Sequence, residues 1–368
     1  MLGGLGLAGI AGAAQPAVQA AGLAAAWRDA FMIGVAVSNQ TLDRQIAPHL
    51  DVIKREFNSV TAENAMKWGV IRPDGVNWQW DRSDRLVDFA AQNGMHVLGH
   101  TLVWHSQVPR SLFTDSAGTR LTRPALLARM EEHIATLVGR YKGRVHTWDV
   151  VNEALDEGNG WRRSQWLQII GEDFMEQAFR MARKADPGAK LLYNDYNMHN
   201  PQKREFLVNV LRGYLDRGVP IDGVGLQGHL GLAYPNLEEW ERSIAAYAAM
   251  GLEVHVTELD VDVLPSPNQP TAEISSRAEY SDANNPWPQG LPDEVQQRLA
   301  DRYEQIFRIL LRHRDRVERV TFWGLHDGMS WKNGFPVAGR TNYPLLLDRE
   351  LKPKPAYDRL MQLARTEV

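Results

Sequence analysis

Eight short apolar runs, separated by stretches with helical periodicity, constrain the fold of this chain more than any other feature. Several runs are apolar almost throughout, which is typical of parallel strands covered on both faces. Gly and Pro mark the returns between them, as in Asp186-Pro187-Gly188. The predicted strands are Phe31–Val37, Asn58–Glu63, His96–Val103, Val145–Asn152, Lys190–Asn194, Gly223–Gln227, Glu253–Glu258 and Val320–Leu325.

The segments between these runs place apolar residues on one helical face. Such spacing predicts helices over Arg129–Arg140, Glu172–Lys184, Lys203–Arg217 and Glu294–Arg312. The eight alternations contain no charge-rich linker and no long repeat. We therefore predict an α/β protein with a single domain, a closed (β/α)8 TIM barrel rather than an open doubly wound sheet.

Residues 1–26 differ from the rest of the chain in being rich in Gly, Ala and Leu. They resemble the apolar part and cleavage zone of a secretory signal peptide, although no basic segment precedes them. We interpret 1–26 as a truncated signal peptide or flexible leader and 27–368 as the barrel domain. The protein is then secreted or periplasmic, and a cytoplasmic location remains the alternative.

Composition narrows the class of ligand. The formal net charge is −4 and the pI is near 6.3, which disfavours nucleic acid and anionic membranes as partners. The chain has no Cys, so disulfides and thiolate chemistry are excluded, and its twelve Trp suit flat apolar faces such as those of sugar rings. A neutral carbohydrate fits these features.

Polar and aromatic residues follow nearly every predicted strand, where barrel enzymes place their chemistry. Two of them are Glu153 and Glu258, at the ends of the fourth and seventh strands. A retaining glycosidase needs two carboxyl groups about 5–5.5 Å apart, and these two strands face each other across an eight-stranded ring. A single strand-end Glu is as often a cap or an ion-pair partner, but the pair with its Trp-rich flanks favours glycoside hydrolysis.

Four segments resemble the signatures of glycoside hydrolase family 10, the xylanases: Thr61–Asn64, Gly99–His105, Trp148–Ala154 and Thr257–Asp260. The resemblance runs in order from about Trp27 to Leu363. It implies a retaining endo-β-1,4-xylanase that acts on xylan and xylo-oligosaccharides. We expect no metal site, because the His residues at strand ends lack a two-His-plus-carboxylate spacing, and we expect a monomer without a cofactor.

The same resemblance assigns the chemical roles. Glu153 would be the acid/base and Glu258 the nucleophile. Asn152 would hydrogen-bond the 2-hydroxyl of the reacting sugar, and His229, with Asp260 behind it, would hold Glu258 ionised and oriented. For Glu153 to be protonated near neutral pH, burial and the charge on Glu258 should raise its pKa.

The remaining implied site residues would bind the substrate or adjust the acid. On the glycone side they are Glu63, Asn64, Lys67, His100 and Trp104. On the aglycone side they are Tyr196 and Asn197. Gln227 would adjust the acid/base, and Trp323 and Trp331 would form a cage over the reacting sugar. Trp331 would also crowd out a C5 hydroxymethyl group and so favour xylose over glucose.

Three questions stay open at this point. A β-1,4-glucanase or mannanase would use a similar barrel and carboxylate pair, and a carbohydrate-binding protein that has lost catalysis would retain the aromatic residues. The segment Val263–Gly290, with five Pro, follows the seventh strand. It is either a lid or binding wall on the catalytic face, or a variable surface insertion.

Overall fold

A computed structural model describes residues 22–158, 160–267 and 270–368. Its sheet contains nine strands that pair in parallel: β1 (Met32–Val37), β2 (Ser59–Ala62), β3 (His96–Val103), β4 (Thr147–Asn152), β5 (Lys190–Asp195), β6 (Gly223–Leu226), β7 (His229–Gly231), β8 (Glu253–Asp262) and β9 (Val317–Phe322). Strands β1 to β6 pair in succession, β6 pairs with β8, β8 with β9 and β9 with β1, while β7 pairs with β8 alone. Eight strands therefore close a ring, and the predicted (β/α)8 barrel is confirmed.

The ninth strand, β7, was not predicted. It exists because β8 is ten residues long and continues past Glu258 to Asp262. The extension pairs with β7, with His229 opposite Asp260 in the register. A strand of three residues is too short to show a periodic pattern, so the sequence did not distinguish β7 from the loop that follows β6.

Helices occupy the outside of the ring: α1 (Leu23–Ala26), α2 (Asn39–Arg44), α3 (Ala47–Glu56), α4 (Trp68–Ile71), α5 (Asp81–Gln92), α6 (Arg123–Arg140), α7 (Gln165–Ile170), α8 (Phe174–Ala185), α9 (Pro201–Asp216), α10 (Leu237–Ala248), α11 (Asp293–Arg312) and α12 (Pro355–Glu367). The four predicted helices are present. Helix α6 begins six residues before its predicted start, because Pro124 in the first turn begins the helix rather than breaking it. Among the described helices, none combines the length and apolarity needed to cross a bilayer.

Helix α1 belongs to the barrel rather than to the predicted leader. Leu23 is buried, its backbone N–H donates to Glu56 Oε2 at 3.1 Å, and the helix packs against α3 and α12. A side chain at Gly22 would collide with the carbonyl oxygen of Arg55. The barrel therefore begins a few residues before Trp27, and the rest of the predicted leader, residues 1–21, lies outside the described residues.

A bulky residue of β4 packs against a glycine of β3. Trp148 of β4 is fully buried, and a Cβ at Gly99 of β3 would lie 2.2 Å from its ring. Glycine at that position lets the indole pack closely against β3. The packing fixes β4, whose carboxyl end carries Asn152 and then Glu153.

Candidate active site

The carboxyl ends of the strands surround one cavity, which we call the barrel-mouth cavity. Its lining includes twelve of the fifteen predicted site residues: Glu63, Asn64, Lys67, His100, Trp104, Asn152, Glu153, Gln227, His229, Glu258, Trp323 and Trp331. They follow seven different strands, and closure of the ring brings them together. Gln107, Ala272 and Ile274 also line the cavity and were not predicted.

Glu153 leaves the end of β4 in an unusual backbone conformation. Its φ is +56°, in the left-handed region that costs energy for a residue with a Cβ. The backbone N–H donates to the carbonyl of Asn194 at 2.9 Å and holds this turn. The buried carboxyl accepts hydrogen bonds from Trp104 Nε1 at 2.7 Å and Gln227 Nε2 at 2.9 Å.

The surroundings of Glu153 raise its pKa to about 7. Burial is the largest cause, the charge of Asp195 adds to it, and the charge of Glu258 adds less, while the bonds from Gln227 and Trp104 act in the opposite direction. The predicted direction is confirmed, but the contribution of Asp195 was missed. A carboxyl with this pKa can both donate and accept a proton near neutral pH.

Glu258 lies in a different hydrogen-bonding environment. Asn194 Nδ2 donates to its Oε1 at 2.8 Å, and His229 Nε2 lies 3.3 Å from its Oε2. The other nitrogen of His229 lies 3.0 Å from Asp260 Oδ1, and Trp331 Nε1 donates to Asp260 Oδ2 at 2.8 Å. Asp260 is fully buried beneath the cavity.

His229 sits between two carboxyl groups, and this decides its charge. Burial acts to lower its pKa, but the charge and hydrogen bond of Asp260, together with those of Glu258, outweigh burial and raise the pKa to about 9. At neutral pH the ring is therefore an imidazolium that donates to both neighbours. Such a cation stabilises a carboxylate at Glu258.

Asn152 lies between the two glutamates. Its Oδ1 accepts from Gln227 Nε2 at 3.3 Å and from Asn194 Nδ2 at 3.0 Å. A continuous hydrogen-bonded chain thus runs from Glu153 through Gln227, Asn152 and Asn194 to Glu258. Both acceptor bonds engage the Asn152 oxygen, so its amide nitrogen remains the group to offer a ligand in the cavity.

Asn194 was not among the predicted site residues, although it closes the predicted fifth strand. Its own amide is oriented by Thr257, whose Oγ1 donates to Asn194 Oδ1 at 2.6 Å. This leaves the amide nitrogen facing Asn152 and Glu258. Its position at a strand end was the signal that could have identified it.

A cationic side chain and a pair of polar residues line another part of the cavity. Lys67 Nζ donates to Asn64 Oδ1 at 3.0 Å and lies 5.0 Å from the centre of the Trp104 ring. Burial lowers the pKa of Lys67, against the opposing charges of Glu258, Glu63 and Glu153. Burial likewise raises the pKa of Glu63, against Lys67 and Asn64. These groups are partly or fully buried polar donors and acceptors, of the kind that can bind sugar hydroxyls.

His100 and two Trp residues complete the lining. His100 Nδ1 lies 2.9 Å from Asp149 Oδ2, and burial lowers the His100 pKa to about 4, so the ring is neutral at pH 7. Trp331 stacks on Phe335 with the ring centres 4.5 Å apart. Trp323 meets His100 edge to face. The aromatic wall is therefore packed from behind and held in place.

Besides the buried Asp260, two predicted residues do not line the cavity. Tyr196 is almost fully buried, its hydroxyl accepts from Arg162 Nη2 at 2.7 Å, and Lys203 Nζ lies 4.3 Å from its ring. Asn197 donates to Glu157 Oε2 at 3.0 Å and to the carbonyl of Pro270 at 3.2 Å. Protein groups satisfy both side chains, which the strand-end pattern alone could not reveal.

The segment Val263–Gly290 contributes to the cavity. Ala272 is buried, and both Ala272 and Ile274 face the same space as the two glutamates. Of the two interpretations of this segment, the binding wall therefore fits the described residues near 272. Across the ranges that the structure describes, no three His, Cys, Asp or Glu side chains gather as a metal would require.

Comparison with known proteins agrees with this geometry. The family model for glycosyl hydrolase family 10 matches residues 22–363. The chain is 44% identical to endo-1,4-beta-xylanase A of Xylanibacter ruminicola over 334 residues, which cover 90% of each chain. It is 42% identical to an endo-1,4-beta-xylanase of Geobacillus stearothermophilus over 336 residues, covering 90% of this chain and 96% of the relative.

Solved structures show the same similarity. A GH10 endoxylanase retrieved from a sugarcane soil metagenome superposes with a TM-score of 0.91 at 50% identity, covering 93% of this chain and all of the other. A mutant protein solved in complex with xylotriose superposes with a TM-score of 0.83 at 37% identity, covering 92% of this chain and 99% of the other. The similarity extends over the barrel and not only over the site.

Proposed function

The chain belongs to glycosyl hydrolase family 10, and from that premise we propose how its own residues cleave xylan. It is an endo-1,4-β-xylanase that hydrolyses β-1,4-xylosidic bonds with retention of configuration. Neither a glucanase or mannanase nor a non-catalytic binding protein is favoured. The assignment of roles to individual residues is our proposal.

In the first step a carboxylate oxygen of Glu258 attacks the anomeric carbon of the xylose at the cleavage point. Glu153 gives its proton to the glycosidic oxygen as the bond from that oxygen to the anomeric carbon breaks. The shortened xylan chain leaves as an alcohol, and the other part remains as an ester of Glu258. Glu153 is then a carboxylate.

In the second step Glu153 takes a proton from a water molecule, whose oxygen attacks the same anomeric carbon. The ester bond breaks, Glu258 is released as a carboxylate, and Glu153 is protonated again. A pKa near 7 suits both halves of this cycle. Esterification of Glu258 removes a negative charge that raises that pKa, so Glu153 loses its proton more readily once the intermediate forms.

The observation that carries this division of roles is the charge of the donors around each glutamate. Glu258 is paired with the His229 imidazolium, itself supported by Asp260. Glu153 has only the neutral donors Trp104 and Gln227 on its carboxyl. The first arrangement favours an anion and the second tolerates a protonated acid.

The other lining residues bind the sugar in this proposal. Glu63, Asn64, Lys67 and His100 hydrogen-bond hydroxyls on the glycone side, where Trp104 provides a flat face. Asn152 Nδ2 donates to the 2-hydroxyl, because its oxygen is already occupied by two amides. Tyr196 and Asn197 act on the aglycone side through the segment that they support, not as lining residues.

The test compares Glu153→Ala and Glu258→Ala on two substrates, xylohexaose and 2,4-dinitrophenyl β-xylobioside. Glu258→Ala should lose hydrolysis of both, since no nucleophile remains. Glu153→Ala should lose kcat/KM on xylohexaose by about 100-fold or more but keep kcat/KM for dinitrophenol release, because this leaving group needs no proton. Its kcat on the activated substrate falls, because the variant also lacks the base of the second step. Equal losses on both substrates in Glu153→Ala would contradict the assignment, and the exposed Glu172→Ala serves as control.

We further propose that the enzyme is exported and works as a monomer. In the described part of the chain the large apolar residues that are well exposed are Val76, Leu215, Tyr280 and Val368, which lie far apart in the sequence. Monomers rarely expose larger contiguous apolar areas. Light scattering should give a single species near 41.5 kDa, and a stable mass of twice that value would contradict the proposal.

A further inference from the structure

Arg162 lies in the loop after β4 and joins three parts of the active-site region. Its Nε donates to the carbonyl oxygen of Glu153 at 2.9 Å, and its Nη2 donates to the Tyr196 hydroxyl at 2.7 Å. Its Nη1 pairs with Glu273. One planar guanidinium therefore holds the main chain of the acid/base, a residue after β5 and the segment after β8.

The segment 271–274, which we call the wall segment, is fixed at its other contacts as well. Thr271 Oγ1 donates to Glu157 Oε1 at 2.9 Å, and the backbone N–H of Glu273 donates to Thr271 Oγ1 at 3.0 Å. Asn197 donates to the carbonyl just before it, that of Pro270. All these partners lie in the loops after β4 and β5, the side on which the aglycone is expected.

The two residues that flank Glu273 face the barrel-mouth cavity. Ala272 and Ile274 line it together with Glu153 and Glu258. The Glu273 side chain instead meets Arg162, which also contacts the Glu153 main chain. The wall of the cavity and the backbone of the proton donor are thus connected through a single side chain.

The Arg162 side chain is 16% exposed and the Glu273 side chain 21%, so water screens this ion pair only in part. Burial acts to lower the pKa of Arg162, but Tyr196, Glu153 and Glu273 outweigh burial and raise it. The guanidinium is therefore charged throughout the working range of pH. Its fork reaches three acceptors at once, which the single ammonium of lysine cannot do with the same geometry.

We propose that Arg162 is a positioning residue that couples the wall segment to Glu153. By holding both, it sets the distance between the acid carboxyl and a leaving-group sugar resting against Ala272 and Ile274. Proton transfer to the glycosidic oxygen then depends on the wall segment being in place. The inference rests on the proposed role of Glu153 as the acid and adds a residue to which neither the motifs nor the comparisons assign a role.

The experiment measures kcat and KM of Arg162→Met, Arg162→Lys and Glu273→Gln on xylohexaose and on 2,4-dinitrophenyl β-xylobioside. Arg162→Met should lower kcat/KM on xylohexaose by about 100-fold, mainly in kcat, because misplacing a general acid forfeits much of its contribution. The same variant should change kcat/KM for dinitrophenol release less than about three-fold, since formation of the glycosyl-enzyme from that substrate needs no proton and no aglycone sugar. Arg162→Lys should recover part of the loss.

Glu273→Gln leaves the bond from Arg162 to Glu153 intact and loosens only the wall. We expect KM for xylohexaose to rise about three- to ten-fold with kcat less affected, and the double variant Arg162→Met/Glu273→Gln to be no slower than Arg162→Met alone, because coupled residues are not additive. Arg163→Met, the exposed neighbour, is the matched control and should behave as the wild type.

Equal losses of Arg162→Met on both substrates would overturn the proposal, because they would indicate a general disturbance of the site. Xylohexaose kinetics within two-fold of the wild type would overturn it as well. If circular dichroism shows Arg162→Met to be unfolded, Glu273→Gln decides, and an unchanged KM for xylohexaose rejects the coupling. Failure of the proposed acid role is distinguishable, because Glu153→Ala would then lose both substrates equally, whatever the Arg162 variants do.

Discussion

The hydrogen bond from Trp104 to Glu153 allows the working pH of the enzyme to be shifted in a calculable direction. The indole Nε1 donates to Glu153 Oε2 at 2.7 Å, with both side chains buried, and this bond lowers the Glu153 pKa. A hydrogen bond to a charged group contributes about 1.5–3 kcal/mol, and part of it survives when the carboxyl is protonated. Since about 1.36 kcal/mol corresponds to one pH unit, Trp104→Phe should raise the pKa by about one unit.

In the proposed mechanism Glu153 is protonated in the first chemical step, so a higher pKa keeps the acid form to higher pH. The basic limb of the kcat/KM profile on xylohexaose should therefore move up by about one pH unit from its position near pH 7, while kcat/KM at the optimum falls because the ring is smaller. Trp323→Phe is the matched control: it also trims a Trp that lines the cavity, but its contacts are with His100 and His229. A basic limb that stays in place or moves down in Trp104→Phe would refute the reasoning, as would an equal shift in Trp323→Phe.

Two further predictions concern the nucleophile side of the cavity and its aromatic wall. The pKa of His229 in the folded protein is about 9, above its ordinary 6.5, so the contribution of the His229 cation to folding stability is fully present below pH 6.5 and is lost as the pH rises through 9. The melting temperature of His229→Asn should therefore lie furthest below that of the wild type near pH 6. A difference in melting temperature that stays constant to pH 10 would contradict this. Trp331 is fixed by Phe335 and Asp260, so Trp331→Ala should raise kcat/KM for an aryl β-cellobioside relative to the matching β-xylobioside by about ten-fold, and an unchanged ratio would show that another residue excludes the hydroxymethyl group.

The barrel could be predicted from the sequence because its strands are buried on both faces. Burial on both faces requires largely apolar runs in the sequence. One of them, His96–Val103, has the same bounds in the structure as in the prediction. The strand ends then became predictable as a group, because ring closure brings all carboxyl ends to one mouth. For the same reason twelve predicted residues lie around one cavity.

The contacts between individual side chains across the barrel mouth could not be predicted from local sequence patterns. The donors to Glu153, Trp104 and Gln227, lie 49 and 74 residues away along the chain, and Asn194 lies 64 residues from Glu258. Periodicity describes which face of a strand is buried, not which side chain on another strand will meet it. The dominant charge acting on Glu153, that of Asp195, was missed on this account.

Tyr196 illustrates the opposite error. An aromatic polar residue after a strand predicts contact with substrate, but in this chain the hydroxyl bonds to Arg162 and the ring covers Lys203. Lys203 lies in α9 and pairs with Asp195 in a fully buried ion pair. A buried cation requires such partners, and the sequence alone does not show that Tyr196 and Asp195 meet this requirement.

The proposed division of roles between the two glutamates depends on residues at the end of β6. Glu153 and Glu258 are almost equally buried, with 4% and 5% exposure, so burial alone cannot separate an acid from a nucleophile. Gln227 and His229 separate them, the first giving a neutral amide to Glu153 and the second an imidazolium to Glu258. Between the two lies Gly228, with a φ of +82° and only 2.8 Å between an added Cβ and the Val256 side chain. Only glycine accepts that turn without strain. Gly228 therefore allows Gln227 to reach Glu153 while His229, two residues later, reaches Glu258.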